Sequence, residues 1–333
     1  MPTLHNKLTP RRLRLLLQSG FALFLVWTCY HFIMHVRWAL GGADAWVAKP
    51  ASVEGFLPIS ALVAAKRLAF TGAWDPVHPA GLTIFLALCG GAFLFRKGFC
   101  GHLCPIGFTS ALLERAGRAL GVSRQPTKLA GRILAAPKYL LLASFFYLIV
   151  WDMPVAAIEN FLRSPYNMVA DTKMLFFFLE PSTTTLVAVA VLAVLSLVMP
   201  SFWCRVLCPY GALLGLLAHV GPTAIARDAA TCTGCRRCTR ACPAALQVHS
   251  LTRVTSPECL GCTHCVDACP ETACLGVRFA GKRVSHWVIG VGALAVIVAA
   301  WAVATSLGQW ESPLPPAMVQ RMHMLLMQGG ISH

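Results

Sequence analysis

Charged residues are scarce in this chain. Only 12% of its 333 residues are Asp, Glu, Lys or Arg, whereas 57% are hydrophobic. Because soluble domains carry about 25% charged residues, this composition argues against a water-soluble globular protein and indicates a membrane protein.

Two further features are missing. No small-residue cleavage site follows the first apolar stretch, which argues against a removed signal peptide and predicts an anchored first helix. The chain also has no basic face interleaved with aromatic side chains, so its net charge of +15 does not imply a nucleic-acid partner.

Five apolar stretches have about the length that crosses a bilayer. They cover residues 15–36, 79–95, 134–151, 183–200 and 285–307, of which the second is the shortest. We therefore expect an all-α polytopic membrane protein with about five transmembrane helices.

Lys and Arg are concentrated in alternate segments between these stretches. Residues 1–14, 96–138 and 205–283 contain 21 of the 28 basic residues, and the segments between them contain seven. Basic segments remain on the cytoplasmic side of a membrane. This distribution predicts a cytoplasmic N terminus, a cytoplasmic loop 96–138, a cytoplasmic segment 205–283 and a C-terminal tail on the outer side. The basic residues 1–14 are expected to be exposed.

Two cysteine runs lie within that segment. Residues 232–243 read CTGCRRCTRACP and residues 259–270 read CLGCTHCVDACP, each a C-x2-C-x2-C-x3-C-P pattern. This is the bacterial run for a [4Fe–4S] cluster, in which the fourth Cys ligates the other cluster. Zinc sites usually show two C-x2-C pairs instead. The spacing predicts two clusters, with ligands Cys232, Cys235, Cys238 and Cys269 for the first and Cys259, Cys262, Cys265 and Cys242 for the second.

The glycines of these runs have a predicted conformation as well. Gly234 and Gly261 occupy tight loops between ligands, where a positive φ and a close approach to sulfide are needed. Cys274 lies five residues beyond the second run and is assigned no ligand role.

An internal repeat precedes the cysteine runs. The same order of motifs occurs twice in the chain. Glu54 and Glu159 are 105 residues apart, and Cys100 and Cys204 are 104 apart, so the two offsets are nearly equal. The constant offset predicts a duplicated two-helix unit, about 15–122 and 133–222, whose copies share one orientation.

Each copy of the repeat carries a C-x3-C-P motif. Cys at i and i+4 would share a helical face, and two related faces could bring four thiolates to one point. That is the ligand count of an additional Fe–S cluster. A redox dithiol pair, a soft metal such as Cu(I) and a structural role are the alternatives. The residues are Cys100, Cys104, Cys204 and Cys208, and His102 between the first two is expected on a surface loop.

The paired glutamates are a second candidate site. Acids beside apolar segments on the outer side are costly unless they are used or exposed, so Glu54 and Glu159 could bind protons or a quinol hydroxyl. Favourable charges at helix N-termini are the alternative reading. His31 and His35, four residues apart, could hold a haem or a metal, and the Met- and His-containing tail 309–333 could bind copper. We interpret the histidines instead as interfacial residues and the tail as a short amphipathic helix.

The combination of these motifs resembles a known family. Two C-x3-C-P motifs at span ends, followed by a double [4Fe–4S] insert, look like the NapH/NosR/CcoG-type membrane-bound polyferredoxins. The stretches VEGFLPISAL, HPAG and FCGHLCPIG look most like the NosR C-terminal half and the YccM-like proteins. The outer flavin-binding domain of NosR and the large C-terminal domain of CcoG are missing from this sequence.

The resemblance implies electron transfer in the bacterial inner membrane, with a periplasmic C terminus. Expected partners are membrane lipid, quinone and a redox protein such as a periplasmic reductase or a haem or flavin protein. An activity like that of a quinol dehydrogenase is open, and no side chain is expected to act as a catalytic nucleophile. Copper reduction or delivery for enzyme assembly is an alternative function, as is a redox-sensing regulator.

Three domains are predicted on this basis. Residues 1–222 form the membrane domain, 223–280 a small cytoplasmic α+β domain with two [4Fe–4S] clusters, and 281–333 the final transmembrane helix with its outer tail.

Overall fold

The computed structural model describes residues 9–329, except for the side chain of Lys128. The first part of the basic segment 1–14, including Lys7, and the final His333 therefore lie outside the described residues. Most of the described chain is helical, as predicted from its composition.

Fifteen α-helices form within these residues. Several begin with proline at the first helical position, where the missing N–H has no intrahelical partner to lose. In chain order the helices are α1 (Pro10–Ala39), α2 (Pro58–Thr71), α3 (Pro79–Phe95), α4 (Gly98–His102), α5 (Pro105–Ala119), α6 (Lys128–Phe146), α7 (Val155–Leu162), α8 (Pro165–Met168), α9 (Ala170–Leu179), α10 (Thr183–Val198), α11 (Pro209–Val220), α12 (Arg237–Arg240), α13 (His264–Asp267), α14 (Trp287–Ser306) and α15 (Pro316–Met327).

A helix lies in each of the five predicted membrane stretches, but not all five helices are long. Three are long and apolar enough to cross a bilayer: α1, α14, and α6 together with the π-helical turn Tyr147–Asp152 that continues it. The pair α9 and α10 reaches that length only together and is bent by 77°. Helix α3, with 17 residues, is shorter. The described chain thus has three candidate spans, or four with the bent pair, and the count of five stays a prediction.

The chain divides into two compact units. Of the described residues, the first contains 9–22, 88–143 and 188–296, and the second contains 23–87, 144–187 and 297–329. The chain passes from one unit to the other within five helices, α1, α3, α6, α10 and α14, which are the helices of the five predicted stretches.

The second unit has an apolar core between short helices. Ile158 and Leu162 of α7 are fully buried against Val63 and Ala64 of α2 and against Leu82 of α3. Helix α2 ends at Gly72, whose φ of 68° provides the left-handed residue that commonly follows a helix C-terminus. The tail forms α15, so the predicted short helix within residues 309–333 is confirmed.

The first unit contains a small antiparallel sheet. Its strands are β1 (Thr223–Arg227), β2 (Arg253–Val254), β3 (Leu275–Phe279) and β4 (Lys282–Val284), in the order β2-β1-β3-β4. Ile225 in β1 lies opposite Val254 on one side and Val277 on the other, and all three are buried. Together with α12 and α13, the sheet forms the α+β region expected around the cysteine runs.

Candidate metal centres

The two cysteine runs fold in the same way. Gly234 and Gly261 have φ values of 70° and 64°, which confirms the positive φ predicted for both. Arg236 and Thr263, each two residues further on, are also left-handed, with a φ of 57°. A four-residue helix, α12 or α13, follows in each run. Two left-handed turns in succession curl the backbone tightly enough for three nearby thiols to face one region.

The thiols of the two runs line two separate cavities. One cavity is lined by one quartet, Cys232, Cys235, Cys238 and Cys269. A second cavity is lined by the other quartet, Cys242, Cys259, Cys262 and Cys265. We call these the outer and the inner cavity. The fourth Cys of each run thus lies with the first three of the other run, which is the grouping that the spacing predicts.

The hydrogen-bond donors around the outer cavity fit an anionic iron–sulfur cluster, whereas in the inner cavity burial raises the pKa of Cys242, Cys262 and Cys265. The backbone N–H of Gly234 and the side chain of Arg227 lower the pKa of Cys232, and the N–H of Arg237 lowers the pKa of Cys235. Such donors favour thiolate, which is the form that ligates iron. The inner cavity is lined by Ile225, Val248 and Val254, which are apolar and exclude water.

The two cavities differ in their exposure to solvent. All four cysteines of the inner cavity are buried. In the outer cavity only Cys238 is buried, whereas Cys232 and Cys269 are half-buried and Cys235 is exposed. Only the outer cavity therefore has a thiol that a soluble molecule can approach directly.

The two C-x3-C-P motifs adopt a conformation that differs from the predicted single helical face. Cys100 lies in α4, which ends at His102, and Cys104 then caps the start of α5. Cys204 lies in the π-helical turn Trp203–Leu207, and Cys208 caps α11. The expectation of one continuous helix was wrong because the following proline disfavours helical dihedrals in the residue before it. Cys104 and Cys208 accordingly have ψ values of 125° and 100°.

The four thiols of these motifs nevertheless lie close together. The pKa of Cys204 is raised, and burial is the largest cause. The charges of the neighbouring thiols of Cys104, Cys208 and Cys100 raise it further, which places them near Cys204. Burial likewise raises the pKa of Cys100 to about 12. The backbone N–H of Gly211 donates to the Cys208 sulfur at 3.2 Å. We call this set, Cys100, Cys104, Cys204 and Cys208, the membrane-proximal quartet.

Two buried lysines near this quartet were missed from the sequence. Lys97 is 1% exposed, and its Nζ donates to the carbonyl of Gly211 at 3.2 Å. Its charge lowers the pKa of both Cys100 and Cys204, against the larger effect of burial. Lys138 is fully buried and pairs with Glu258 at 2.6 Å. A lone lysine inside an apolar stretch is a signal that could have identified Lys138.

The membrane-proximal quartet adjoins the inner cavity. A Cβ on Gly101, which follows Cys100 in α4, would lie 2.6 Å from the carbonyl oxygen of Leu260 and 3.2 Å from the nitrogen of Cys262. Helix α4 therefore packs directly on the loop that carries an inner-cavity cysteine. Gln125 Nε2 also donates to the carbonyl oxygen of Cys242 at 3.1 Å.

Two residues near these centres are buried, contrary to expectation. His102 is 1% exposed rather than on a surface loop, because its ring packs against Gly290 of α14. Burial and the nearby charge of Arg14 lower the pKa of His102 to about 4. Arg14, which we expected in an exposed basic segment, is buried and hydrogen-bonds to His264.

The second unit contains a buried ionic cluster around Glu54. Lys49 Nζ lies 2.6 Å from Glu54 Oε1 and 3.2 Å from Asp171 Oδ2. His78 Nδ1 lies 3.2 Å from Glu54 Oε1, and its Nε2 is 2.7 Å from the carbonyl oxygen of Asn167. The side chain of Glu54 is fully buried. Sequence reasoning found Glu54 but missed its partners, of which Lys49 is only five residues away in the chain, whereas Asp171 is more than a hundred residues away.

Glu159, the repeat partner of Glu54, has a different environment. Its side chain is 31% exposed and forms ion pairs with Arg67 and Arg163. The pairing with Arg163, four residues along the chain, is an ordinary surface contact of a helix. The two glutamates are therefore related by sequence offset, but only Glu54 is enclosed.

Other candidate ligands do not converge on a single ion. In residues 9–329, no three His, Cys, Asp or Glu side chains are arranged to hold one metal ion. His35 Nδ1 lies 2.7 Å from the carbonyl oxygen of Val47, and the ring of His31 packs on Trp27. Cys274 lines the outer cavity as a fifth thiol.

Known proteins share these features. A family described as "4Fe-4S dicluster domain" matches residues 224–270, and one described as "4Fe-4S binding domain" matches residues 77–123 and 182–226. "Putative electron transport protein YccM" of Escherichia coli is 34% identical over 333 residues, which cover 95% of this chain and 90% of that protein. The chain belongs to the membrane-bound polyferredoxin family.

Two further relatives of this polyferredoxin cover less of the chain. "Methylamine utilization ferredoxin-type protein MauN" of Methylorubrum extorquens is 30% identical over 60% of this chain and 67% of its own length. "Protein NirI" of Paracoccus denitrificans is 31% identical over 50% of this chain and 24% of its own. No solved structure matches. The predicted family is confirmed, and the shared domains support an iron–sulfur electron-transfer role in a membrane protein.

We predict that Gly101→Ala destabilises the polyferredoxin. The new methyl group would collide with the backbone of Leu260, and overpacking of this kind costs about 1–3 kcal/mol. The thermal denaturation midpoint of the purified protein should fall. Gly90→Ala is the matched control, since a Cβ at that position meets no atom within 4 Å. Equal midpoints for the two variants would show that α4 is not held tightly on the loop.

We also predict unequal effects of neutralising the two glutamates. Glu54→Gln removes a fully buried carboxylate from Lys49 and His78, and breaking a buried ion pair costs about 3–5 kcal/mol. Glu159→Gln removes a carboxylate that is 31% exposed. Its pair with the exposed Arg163 contributes about 0–1 kcal/mol, and the buried Arg67 keeps its hydrogen bond to the carbonyl oxygen of Trp74. Thermal midpoints measured side by side should fall much further for Glu54→Gln. Similar losses would contradict the difference in enclosure.

The Glu54 and His78 pair should also shape the pH dependence of stability. Burial opposes the charge of Glu54, but Lys49 and His78 outweigh it and lower its pKa below 4.5. Burial and Lys49 lower the pKa of His78, but Glu54 outweighs them and raises it above 6.5. The contribution of Glu54 is therefore present above pH 4.5 and lost as the pH falls through its lowered pKa. The contribution of His78 is present below pH 6.5 and lost as the pH rises through its raised pKa.

Wild-type protein should lose stability as the pH rises above 6.5, because His78 then loses its proton. The His78→Gln variant should lose less stability over the same pH range. Thermal midpoints of both proteins over pH 5–9 would test this, with the two curves converging at alkaline pH. Parallel curves would contradict the assignment.

Proposed function

We propose that this polyferredoxin is a transmembrane electron conduit in which three thiol quartets hold iron–sulfur clusters. The observation that carries the proposal is the contact of α4 with the Leu260–Cys262 loop. This helix contains Cys100 of the membrane-proximal quartet, and the loop leads into the inner cavity. The three quartets therefore form a contiguous series within one compact unit.

The ligand assignment follows the grouping of the thiols. The outer quartet, Cys232, Cys235, Cys238 and Cys269, would hold one [4Fe–4S] cluster, and the inner quartet, Cys242, Cys259, Cys262 and Cys265, a second. The membrane-proximal quartet has the ligand number for a third. Bound clusters supply one-electron transfer. The family described as a 4Fe–4S binding domain matches the chain twice, and each match contains one of the two C-x3-C-P motifs. This double match supports the third site.

The protein excludes water from the inner quartet and places a positive charge beside the membrane-proximal thiols. Cysteines of the inner quartet are all buried, which keeps solvent from that centre. Lys97 forms no ion pair among the described residues, although it is buried beside the membrane-proximal thiols. A buried cation without a carboxylate partner is costly, and thiolates at Cys100 and Cys204 would balance it.

The proposed topology rests on charge. Residues 1–14, 96–138 and 205–283 contain 21 of the 28 Lys and Arg residues. A basic excess marks the cytoplasmic side, so we assign these segments to the cytoplasmic side of the bacterial inner membrane. The five predicted crossings then place the C terminus on the periplasmic side. Left-handed residues at Arg96 and Ser201, 105 positions apart, support the duplication.

The redox partner at the other end of the conduit, and the residues that could bind protons there, are also proposed. A quinone within the lipid, or a periplasmic reductase, haem or flavin protein, would exchange electrons with the membrane-proximal centre. Glu54 is the enclosed one of the two candidate residues. It is ion-paired with Lys49, and its neighbour His78, whose pKa Glu54 raises, is the group of this cluster that favours a proton. Glu159 is the weaker candidate, since it is partly exposed between two arginines.

Iron and acid-labile sulfide per chain, measured on protein purified without oxygen, test the proposal. Three cubane clusters require about twelve irons, and two require about eight. A variant with Ser at Cys100, Cys104, Cys204 and Cys208 should drop from about twelve to about eight. Cys29→Ser with Cys89→Ser is the matched control, because neither residue belongs to a quartet, and it should retain the wild-type count.

Other counts would overturn parts of the proposal. Eight irons in both wild type and the quadruple variant would remove the third centre and with it the continuous series. Copper in place of the missing iron would favour the metal-delivery function. Zinc with little iron would exclude an iron–sulfur conduit altogether.

A further inference from the structure

The two cysteine runs differ in charge at equivalent positions. The second run follows the first by 27 residues throughout, so each residue of one has a counterpart in the other. Arg236, Arg237 and Arg240 of the first run correspond to Thr263, His264 and Asp267 of the second. All three arginines are exposed, whereas Thr263 is buried and His264 is half-buried. The positive charge therefore belongs to the run that carries the exposed Cys235.

Each of the three arginines is tied to the outer cavity. Arg236 lines it, and the backbone N–H of Arg237 donates to the sulfur of Cys235. The Nη2 of Arg240 donates to the carbonyl oxygen of Cys235 at 3.3 Å. Two acidic residues lie in the same region, because Glu271 lines the cavity and Asp228 is exposed beside it. With Arg227, which also lines the cavity, the basic residues outnumber the acidic ones.

Compensation of cluster charge does not require these arginines. Their side chains are exposed to water, which already screens a nearby negative charge. The inner cavity, where water is excluded, has its own buried cation in Arg14. Burial raises the pKa of Cys262, and the charge of Arg14 opposes that effect. The exposed arginines are therefore available for a partner from solution.

We propose that Arg236, Arg237 and Arg240 form a docking surface for a small acidic redox protein, which exchanges electrons at the outer cavity. The inference rests on the proposed function, since it takes the outer cavity to hold a cluster. Opposite charges across such an interface accelerate encounter and orient the partner, and their effect falls as salt rises. The exposed Cys235 then lies at the point of closest approach.

The test measures reduction of the polyferredoxin in nanodiscs of uncharged lipid by two donors. One is a reduced acidic flavodoxin as the protein probe, and the other is dithionite as a small reductant. A variant with Arg236→Gln, Arg237→Gln and Arg240→Gln should react with flavodoxin about tenfold or more slowly at low salt. This difference should shrink at high salt. The rate with dithionite, a small anion without an extended acidic surface, should fall much less than the flavodoxin rate.

A control variant that loses the same number of positive charges at another place separates the effect of the three arginines from the effect of net charge. Arg253, Arg278 and Lys282 are exposed on the sheet and line neither cavity, so their change to Gln removes the same charge elsewhere. This control should keep most of the flavodoxin rate. An equal loss in both variants would overturn the docking surface, as would an unchanged flavodoxin rate in the arginine variant.

Two further outcomes assign the arginines to another role. Slower reduction by dithionite as well, with a shifted reduction potential, would show that they tune the cluster. A loss seen only in nanodiscs of anionic lipid would assign them to the membrane surface. Either result overturns the docking surface. Failure of the conduit itself would appear separately, as wild-type protein that contains too little iron to be reduced by any donor.

Discussion

The convergence of four thiols on one small cavity is the constraint on which the rest of the structure depends. A single run provides only three of them, so each run must take its fourth from the other. This exchange makes the two runs interdependent. It also needs tight left-handed turns, which Gly234 and Gly261 adopt without steric cost. The small sheet, with Ile225 buried at its centre, holds the two runs in register.

Burial of charge is the second constraint, because a membrane protein has few polar surroundings in which to place it. Lys138 is balanced by Glu258, and Lys49 by Glu54 and Asp171. Lys97, Arg96 and Arg205 are buried without an ion pair among the described residues, and Lys97 lies near the thiols of Cys100 and Cys204. The buried cations thus point to the places where negative charge is required, and one of these is the membrane-proximal quartet.

Sequence reasoning succeeded where a motif dictates local geometry. The positive φ of both glycines and a helix in each apolar stretch were predicted and are observed. It failed where long-range packing decides. His102 is buried by Gly290 of a helix nearly 190 residues away, and Arg14 is buried beside His264. The helical face expected for Cys100 and Cys104 overlooked Pro105, whose effect on the preceding residue is local and could have been recognised.

The sequence by itself determined the chemistry of this protein, since the spacing of its cysteines selects the ligand class and its apolar stretches select the membrane. Only the tertiary structure decided the order of the three quartets, because burial depends on contacts between distant segments. Cys235 and Cys262 occupy the same position in their runs, yet one is exposed and the other is covered by α4. A repeat makes such residues alike in sequence, and the packing of one copy against its neighbours makes them different.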